Sequence, residues 1–451
     1  MSDDFLDRRV LLASLGAAVT VPILAACAES EPAAPAEFRS PRGAEPPAGR
    51  NVRDFGAVGD GRTDDTDAFA RAASAPNRPV ALYLPAGTYR VRSWPELPDF
   101  SSVFGDGGDV STVLFEENGT LIALKDRQRV RFARFAVFAT GTQATAVSLS
   151  NCFRCTFDSV VLRGNHLSGN YPRFLQQRGV VLDKNTGGTT FTNCDINNFG
   201  YGIVTSCIQN YVTASKFASN HIGVLGTGND HNAGLSLANV EFVSDLDPRT
   251  TTQHVRVDGA ANDWWLTNVW FEGADTAVSI GDPKRGGPAQ FGMINCKVAA
   301  RKVCLDLIYC RRPYLANILF DPDGGEPPTA LRIDPATCQE GTAINLLSGS
   351  AEDIDPRVIP GGWQVIGCGR GRGDRFAGTL VARSASGAEP LQAQTPQGDI
   401  VSAVLPSGAW LSDRSDAGVI LKDAQDGYWR LAVTPDGQIT TSALGRERPR
   451  R

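Results

Sequence analysis

What is scarce in this 451-residue chain removes several kinds of protein at once. Basic residues are not in excess: 44 Lys and Arg against 49 Asp and Glu leave a net charge of −5, which offers no electrostatic footprint for nucleic acid. Only four histidines occur, none at the spacing of transition-metal ligands. No apolar run makes a comfortable membrane span, since the best candidate, residues 10–26, is short and rich in small residues. Ten cysteines are present but lack the dense spacing of a small disulfide-stapled domain, and Cys152 and Cys155 form a lone C-x-x-C with no second pair at zinc spacing. Two methionines against 47 glycines and 27 prolines point to a turn-rich β protein instead of a helical one.

The amino terminus reads as an address. Paired arginines, Arg8 and Arg9, precede the apolar segment, in the manner of a twin-arginine export signal, and "LAAC" at Leu24–Cys27 has the form of a lipoprotein cleavage box. The expectation is a signal over 1–27, lipid attachment at Cys27, and a periplasmic or cell-envelope location in which the lipid is the only link to the membrane. A Pro/Ala-rich tether follows over 28–50. Setting Cys27 aside leaves nine cysteines, an odd number that suits buried thiols acting as small apolar residues.

The strongest signal is an internal repeat. "ARFAVF", "FRCTFD", "TNCDIN", "TASKFA", "ANVEFV", "TNVWFE", "INCKVA" and "ANILFD" align on a turn position held by Arg134, Arg154, Asn193, Ala214, Asn239, Asn268, Asn295 and Asn317. The intervals are 20, 39, 21, 25, 29, 27 and 22 residues. A second series, "TAVSL", "RGVVL", "YGIVT", "IGVLG", "HVRV", "TAVSI", "CLDL" and "ALRI", alternates with period two. Short strands repeating at this period, with no long helix between them, predict a β-solenoid over 51–349. Asn tolerates the left-handed backbone of a corner, so the five asparagines are expected to stack as a ladder. Cys155, Cys194 and Cys296 are expected inside. Beyond residue 350 the pattern fades into a β-rich appendage with a "TPDGQ" hairpin turn and a basic tail; the appendage is expected to cover the last coil, with Trp410 and Trp429 packed in its core, the alternative being a sugar platform.

"NVRDFGAVGDGRTDDTDAFARAASAP", followed by "VALYLPAGTYRV", resembles the amino-terminal signature of the pectate lyase superfamily, in its rhamnogalacturonase/epimerase-like branch. The resemblance implies an all-β, right-handed, single-stranded parallel β-helix of pectin-lyase type, with an N-terminal capping helix and a carbohydrate substrate. The Asn-Thr-Asp, Gly-His-Gly and Arg-Ile-Lys motifs of polygalacturonases are absent. Its five aspartates admit a calcium loop. The scaffold reading is preferred: a turn at Asp60 and Gly61, a cap from Thr63 or Asp64, and an apolar helix face of Ala68, Phe69 and Ala72.

In a solenoid, one repeat position becomes a row with a step of about 4.8 Å. The outward position gives Ala136, Thr156, Asp195, Lys216, Glu241, Trp270, Lys297 and Leu319. Asp195, Lys216 and Glu241 are the candidate catalytic groups, with Asp195 and Glu241 about 9.6 Å apart by this spacing. Removing a proton alpha to a uronate carboxylate needs a base and a cation, and Lys216 suits either part. Two carboxyl groups at this separation lie at the inverting limit for hydrolysis, so lyase, epimerase and hydrolase chemistry all stay open. The alternative is a charge ladder in a non-catalytic carbohydrate-binding or envelope protein. Trp270 and Glu272 are candidate substrate contacts. The long interval holds "RGNHLSGNYPRFLQQRG", from which His166, Tyr171, Arg173 and Arg178 are expected to reach over the groove. "GTGNDHNAG" offers a weaker Asp230 and His231 pair. No resident metal site is expected, while calcium bridging an acidic sugar to Asp195, Glu241 or Glu272 is chemically compatible.

Overall fold

The computed structural model describes residues 49–449 except 76–77, 208, 229–233, 246, 324–326, 350–353, 355–357, 369–388, 396–397 and 414–418. The segment expected to be an export signal, Cys27, the expected tether as far as residue 48, and Asp230 with His231 therefore lie outside the described residues.

From Gly119 to Ile333 each coil contributes one strand to a nine-stranded parallel sheet, and its other strands belong to a second, 22-stranded sheet. The nine strands begin at Gly119–Lys125 and end at Thr329–Ile333, and all eight members of the second sequence series lie on them. Their register aligns Ile122, Val147, Val180, Ile203, Val224, Val255, Val278, Leu305 and Leu331 into one buried aliphatic column. β-Branched and leucine side chains suit such a strand, because every second residue faces the coil interior.

In this second sheet the chain turns at a corner residue with positive φ, which lies between two short strands in the earlier coils and within one longer strand in the later ones. Arg134, Asn193, Ala214, Asn239, Asn268, Asn295 and Asn317 all adopt φ between 47° and 56°, and Asn345 continues the series at 51°. The asparagine amides bond from coil to coil: Asn268 Nδ2 donates to Asn239 Oδ1 at 3.1 Å, Asn317 to Asn295 at 3.0 Å and Asn345 to Asn317 at 3.0 Å. One alignment needs correction. Arg154 is also left-handed, but it precedes the strand Thr156–Asp158, and the corner in register is Ser159. The intervals become 25 and 34 residues, so the surplus is a loop within one coil and no coil is hidden in it.

Inward side chains stack with the same step. Phe132, Phe157 and Phe191 have successive ring centroids 4.8 Å apart, and Phe217, Phe242 and Phe271 follow at 4.6 and 5.1 Å. The nine cysteines among the described residues are buried and form no disulfide with one another, Cys155, Cys194 and Cys296 included. Where a bulky ring enters, the facing residue is small: a Cβ on Gly226 would lie 2.3 Å from Trp264 Cζ2.

The aspartate-rich stretch is scaffold. The helix Thr66–Ala73 buries Ala68, Phe69, Ala72 and Ala73, and Phe69 packs edge-on against Tyr89 and Trp94, each at 5.6 Å. Asp60 Oδ1 accepts from the amides of Arg62 and Thr63, Asp64 Oδ1 from Thr66, and buried Asp65 from Val58 and Gly59. These acids are occupied by backbone donors, as turn and helix-start residues are.

The parallel ladder runs beyond residue 349, since Gly362–Ile366 pairs in parallel with Glu340–Ser348 and carries the fully buried Trp363. Two antiparallel three-stranded sheets follow, one over Leu391–Ser412 and one over Val419–Gly445. The "TPDGQ" hairpin is present, with Gly437 at φ 84°. Trp410 and Trp429 do not form a core: they are 68% and 39% exposed, because these small sheets have too few inward residues to enclose a ring.

Candidate functional site

The register sets Asp195, Lys216, Glu241, Trp270, Lys297 and Leu319 side by side on successive strands. Each precedes a buried residue, Ile196, Phe217, Phe242, Phe271, Val298 and Phe320, so alternation turns the row outward. Upstream, the residue opposite Asp195 is Val161 and not Thr156, because the corner of that coil is Ser159. Ala136 stands next in the row.

The row is electrostatically divided. Lys216 Nζ lies 3.2 Å from Glu241 Oε2. Asp195 makes no side-chain hydrogen bond or ion pair among the described residues. Burial pushes its carboxyl above the ordinary aspartate range, the Lys216 charge opposes that rise, and Asp109 and Glu241 add to it. The loop bearing Asp109 packs against the strand next to Asp195, close enough that a Cβ on Gly108 would meet Val161 Cγ2 at 2.6 Å. Further along, Lys297 Nζ lies 4.3 Å from the Trp270 ring centroid, 3.6 Å from Glu272 Oε1 and 3.3 Å from Asp321 Oδ2. A depression of about 470 Å³ opens there, lined in part by Trp270, Lys297, Leu319 and Leu347. Trp270 and Glu272 thus belong to one cluster, while Asp321 was not singled out from the sequence because only the register brings it next to Lys297.

The insertion lies elsewhere. His166 is fully buried, its Nε2 is 2.8 Å from the Thr250 carbonyl oxygen, and its ring meets His221 edge-on at 5.6 Å. Its amide donates to the Asn198 carbonyl, at the opposite end of the short strand from Asp195. Tyr171 packs on His221 at 5.8 Å, Arg173 lies over Phe174, and Arg178 opens the strand Arg178–Asp183 of the nine-stranded sheet. None of the four is brought to the Asp195 row. A buried imidazole needs a partner for its N–H, and the Thr250 carbonyl supplies it. Among the described residues no three His, Cys, Asp or Glu side chains converge as metal ligands.

Stacked coils, a corner ladder and a capping helix define the pectate-lyase-like class of parallel β-helix. Residues 49–242 match the family described as "Rhamnogalacturonase A/epimerase, pectate lyase-like". Short segments are similar to curated proteins: 51% identity over 51 residues to Alginate lyase 7 of Azotobacter vinelandii, covering 11% of this chain and 6% of that protein, and 46% over 54 residues to a glucan 1,3-beta-glucosidase of Cochliobolus carbonum, covering 9% and 7%. The chain thus aligns with less than a tenth of either relative's length. Among solved structures, ORF18 of Geobacillus virus E2 matches at TM-score 0.48 with 14% identity, over 88% of this chain and 76% of that one. The A-module of the mannuronan C-5 epimerase AlgE6 of Azotobacter vinelandii matches at TM-score 0.43 with 12% identity, over 70% and 98%.

Proposed function

We propose that the chain acts on a uronic-acid polysaccharide laid along the Asp195, Lys216 and Glu241 row, by a lyase-like or epimerase-like reaction. The observation that carries this reading is the unpaired carboxyl of Asp195 beside a lysine held by Glu241. Asp195 takes the proton alpha to the sugar carboxylate as general base, and the Lys216 ammonium faces the negative charge that develops on the carboxylate. Glu241 holds Lys216 in place through their 3.2 Å ion pair. In elimination the electron pair then expels the glycosidic oxygen; in epimerisation a proton returns to the opposite face. The family match and the short similarity to an alginate lyase support an acidic polymer as substrate. We further propose export with lipid attachment at Cys27, on the strength of Arg8, Arg9 and the "LAAC" box.

The test incubates the full chain with alginate, pectate and rhamnogalacturonan, following absorbance of unsaturated uronates, reducing ends and C5 configuration by NMR. Turnover of at least one polymer that Asp195→Asn abolishes is expected. Turnover unaffected by Asp195→Asn, or none with any polymer, overturns the assignment. A second reading, non-catalytic carbohydrate binding, draws on the Lys216 and Glu241 pair, which also serves as a cross-strand charge pair in the sheet.

A further inference from the structure

Across the asparagine corner a different outward row runs along the preceding short strands. Its successive register partners are Tyr211, Ser236, Trp265, Gly292, Tyr314 and Thr342. An aromatic ring therefore recurs at every second coil, with a small residue on each coil between. Two coils amount to about 9.6 Å. Tyr211 and Tyr314 are 44% and 36% exposed, more than core packing would leave them. Trp265 is laid down on the sheet: a Cβ on Gly292 would lie 2.0 Å from both Cε3 and Cζ3 of its ring, so only glycine lets the indole cover this position.

The rings join two depressions. One of about 260 Å³ is lined by Tyr211, Ser236, Asp263 and Trp265, and one of about 660 Å³ by Trp265, Arg312, Tyr314 and Glu340. Trp265 is common to both, so the trough is continuous along the solenoid axis. Two residues before the aromatic row, Asp263, Gln290 and Arg312 are in register, and Glu340 Oε2 lies 4.0 Å from Arg312 Nε, which completes a polar margin. Flat apolar rings on the floor with donors and acceptors along one edge match a pyranose, which presents a C–H face and a rim of hydroxyls.

We propose that this row is a second, non-catalytic binding track, on which a linear polysaccharide runs parallel to the axis with its rings stacked on Tyr211, Trp265 and Tyr314. The two-coil step is the length of a disaccharide unit in an extended chain, so every second sugar meets an aromatic. The inference takes from the proposed function only that the ligand is a polysaccharide; it requires no catalysis. Scattered surface aromatics would show neither the alternation nor the glycine under Trp265.

The test measures binding of the full chain to alginate, pectate, rhamnogalacturonan and a neutral β-glucan by calorimetry and tryptophan fluorescence. For the polymer bound, Trp265→Ala and the double variant Tyr211→Ala/Tyr314→Ala are each expected to weaken affinity by about tenfold or more. Trp265→Phe should retain most of it. Should Trp265→Ala fail to fold, the exposed tyrosine pair gives the same reading. Affinity insensitive to both sets of aromatic variants, or binding to none of the polymers, overturns the track. Turnover with aromatic-independent binding rejects the track and leaves the proposed function standing, whereas aromatic-dependent binding without turnover does the reverse.

Discussion

Lys216 Nζ stands 3.2 Å from Glu241 Oε2, one step along a row whose other neighbour of Lys216, Asp195, has no side-chain partner among the described residues. The lysine is committed and the aspartate is free. In the proposed reaction that asymmetry gives the proton transfer to Asp195 and the fixed positive charge to Lys216.

Asp195→Asn is expected to lower kcat/KM by roughly 10²–10⁴ while leaving the unfolding midpoint in place. Lys216→Gln should also cost activity yet change stability by only about 0.2–1 kcal/mol, the worth of an exposed ion pair. Initial rates and denaturant titration check both.

The rate should fall on the acid side as Asp195 becomes protonated, at a pH above the ordinary aspartate range, because burial favours its neutral form. Lys216 opposes that shift, so Lys216→Gln should move the acid limb to higher pH still. A pH profile of kcat/KM in wild type and variant reads the direction. A limb that stays put or moves down contradicts the assignment.

His254 is buried with its Nε2 2.7 Å from the Glu272 carbonyl oxygen, and burial pushes its pKa down to about 4. The unfolded chain, with an ordinary histidine pKa of about 6.5, binds the proton first, so stability is full above that value and is lost as the pH falls towards 4. Gln at this position keeps a donor for Glu272 without titrating. His254→Gln should flatten the difference in unfolding free energy between pH 7 and pH 4.5.

Asn317 both donates to Asn295 and accepts from Asn345, at φ 53°. Asn317→Ala loses both bonds and leaves a Cβ-bearing residue without amide support in the left-handed region, at a cost of roughly 1–3 kcal/mol. Asn317→Gly should cost less, as glycine relieves the backbone term. Equal losses for the two would show that conformation plays no part.

Phe242 is sandwiched between Phe217 and Phe271. Phe242→Ala should destabilise by about 3–5 kcal/mol, and Phe242→Leu by less, as measured by chemical denaturation.

The repeat was readable because each signal recurs: an asparagine at the corner, a buried phenylalanine or isoleucine three residues later, an aliphatic strand on the next face. Asp195, Lys216 and Glu241 could be aligned for the same reason. Thr156 was misplaced because Arg154 and Ser159 are both left-handed residues of one coil, and nothing local ranks one corner above the other. The insertion hid its destination, since His166 finds its carbonyl partner at Thr250, 84 residues away. The aromatic trough was invisible for a related reason: Tyr211, Trp265 and Tyr314 share no motif, and strand register alone unites them.

The alternation of ring and small residue gives the solenoid a parity. Adding one whole coil between Trp265 and Tyr314 would put the two rings out of phase. A pair of coils would restore the rhythm. On the proposed track, growth by a single repeat would break the phase of the rings, whereas growth by pairs would keep it.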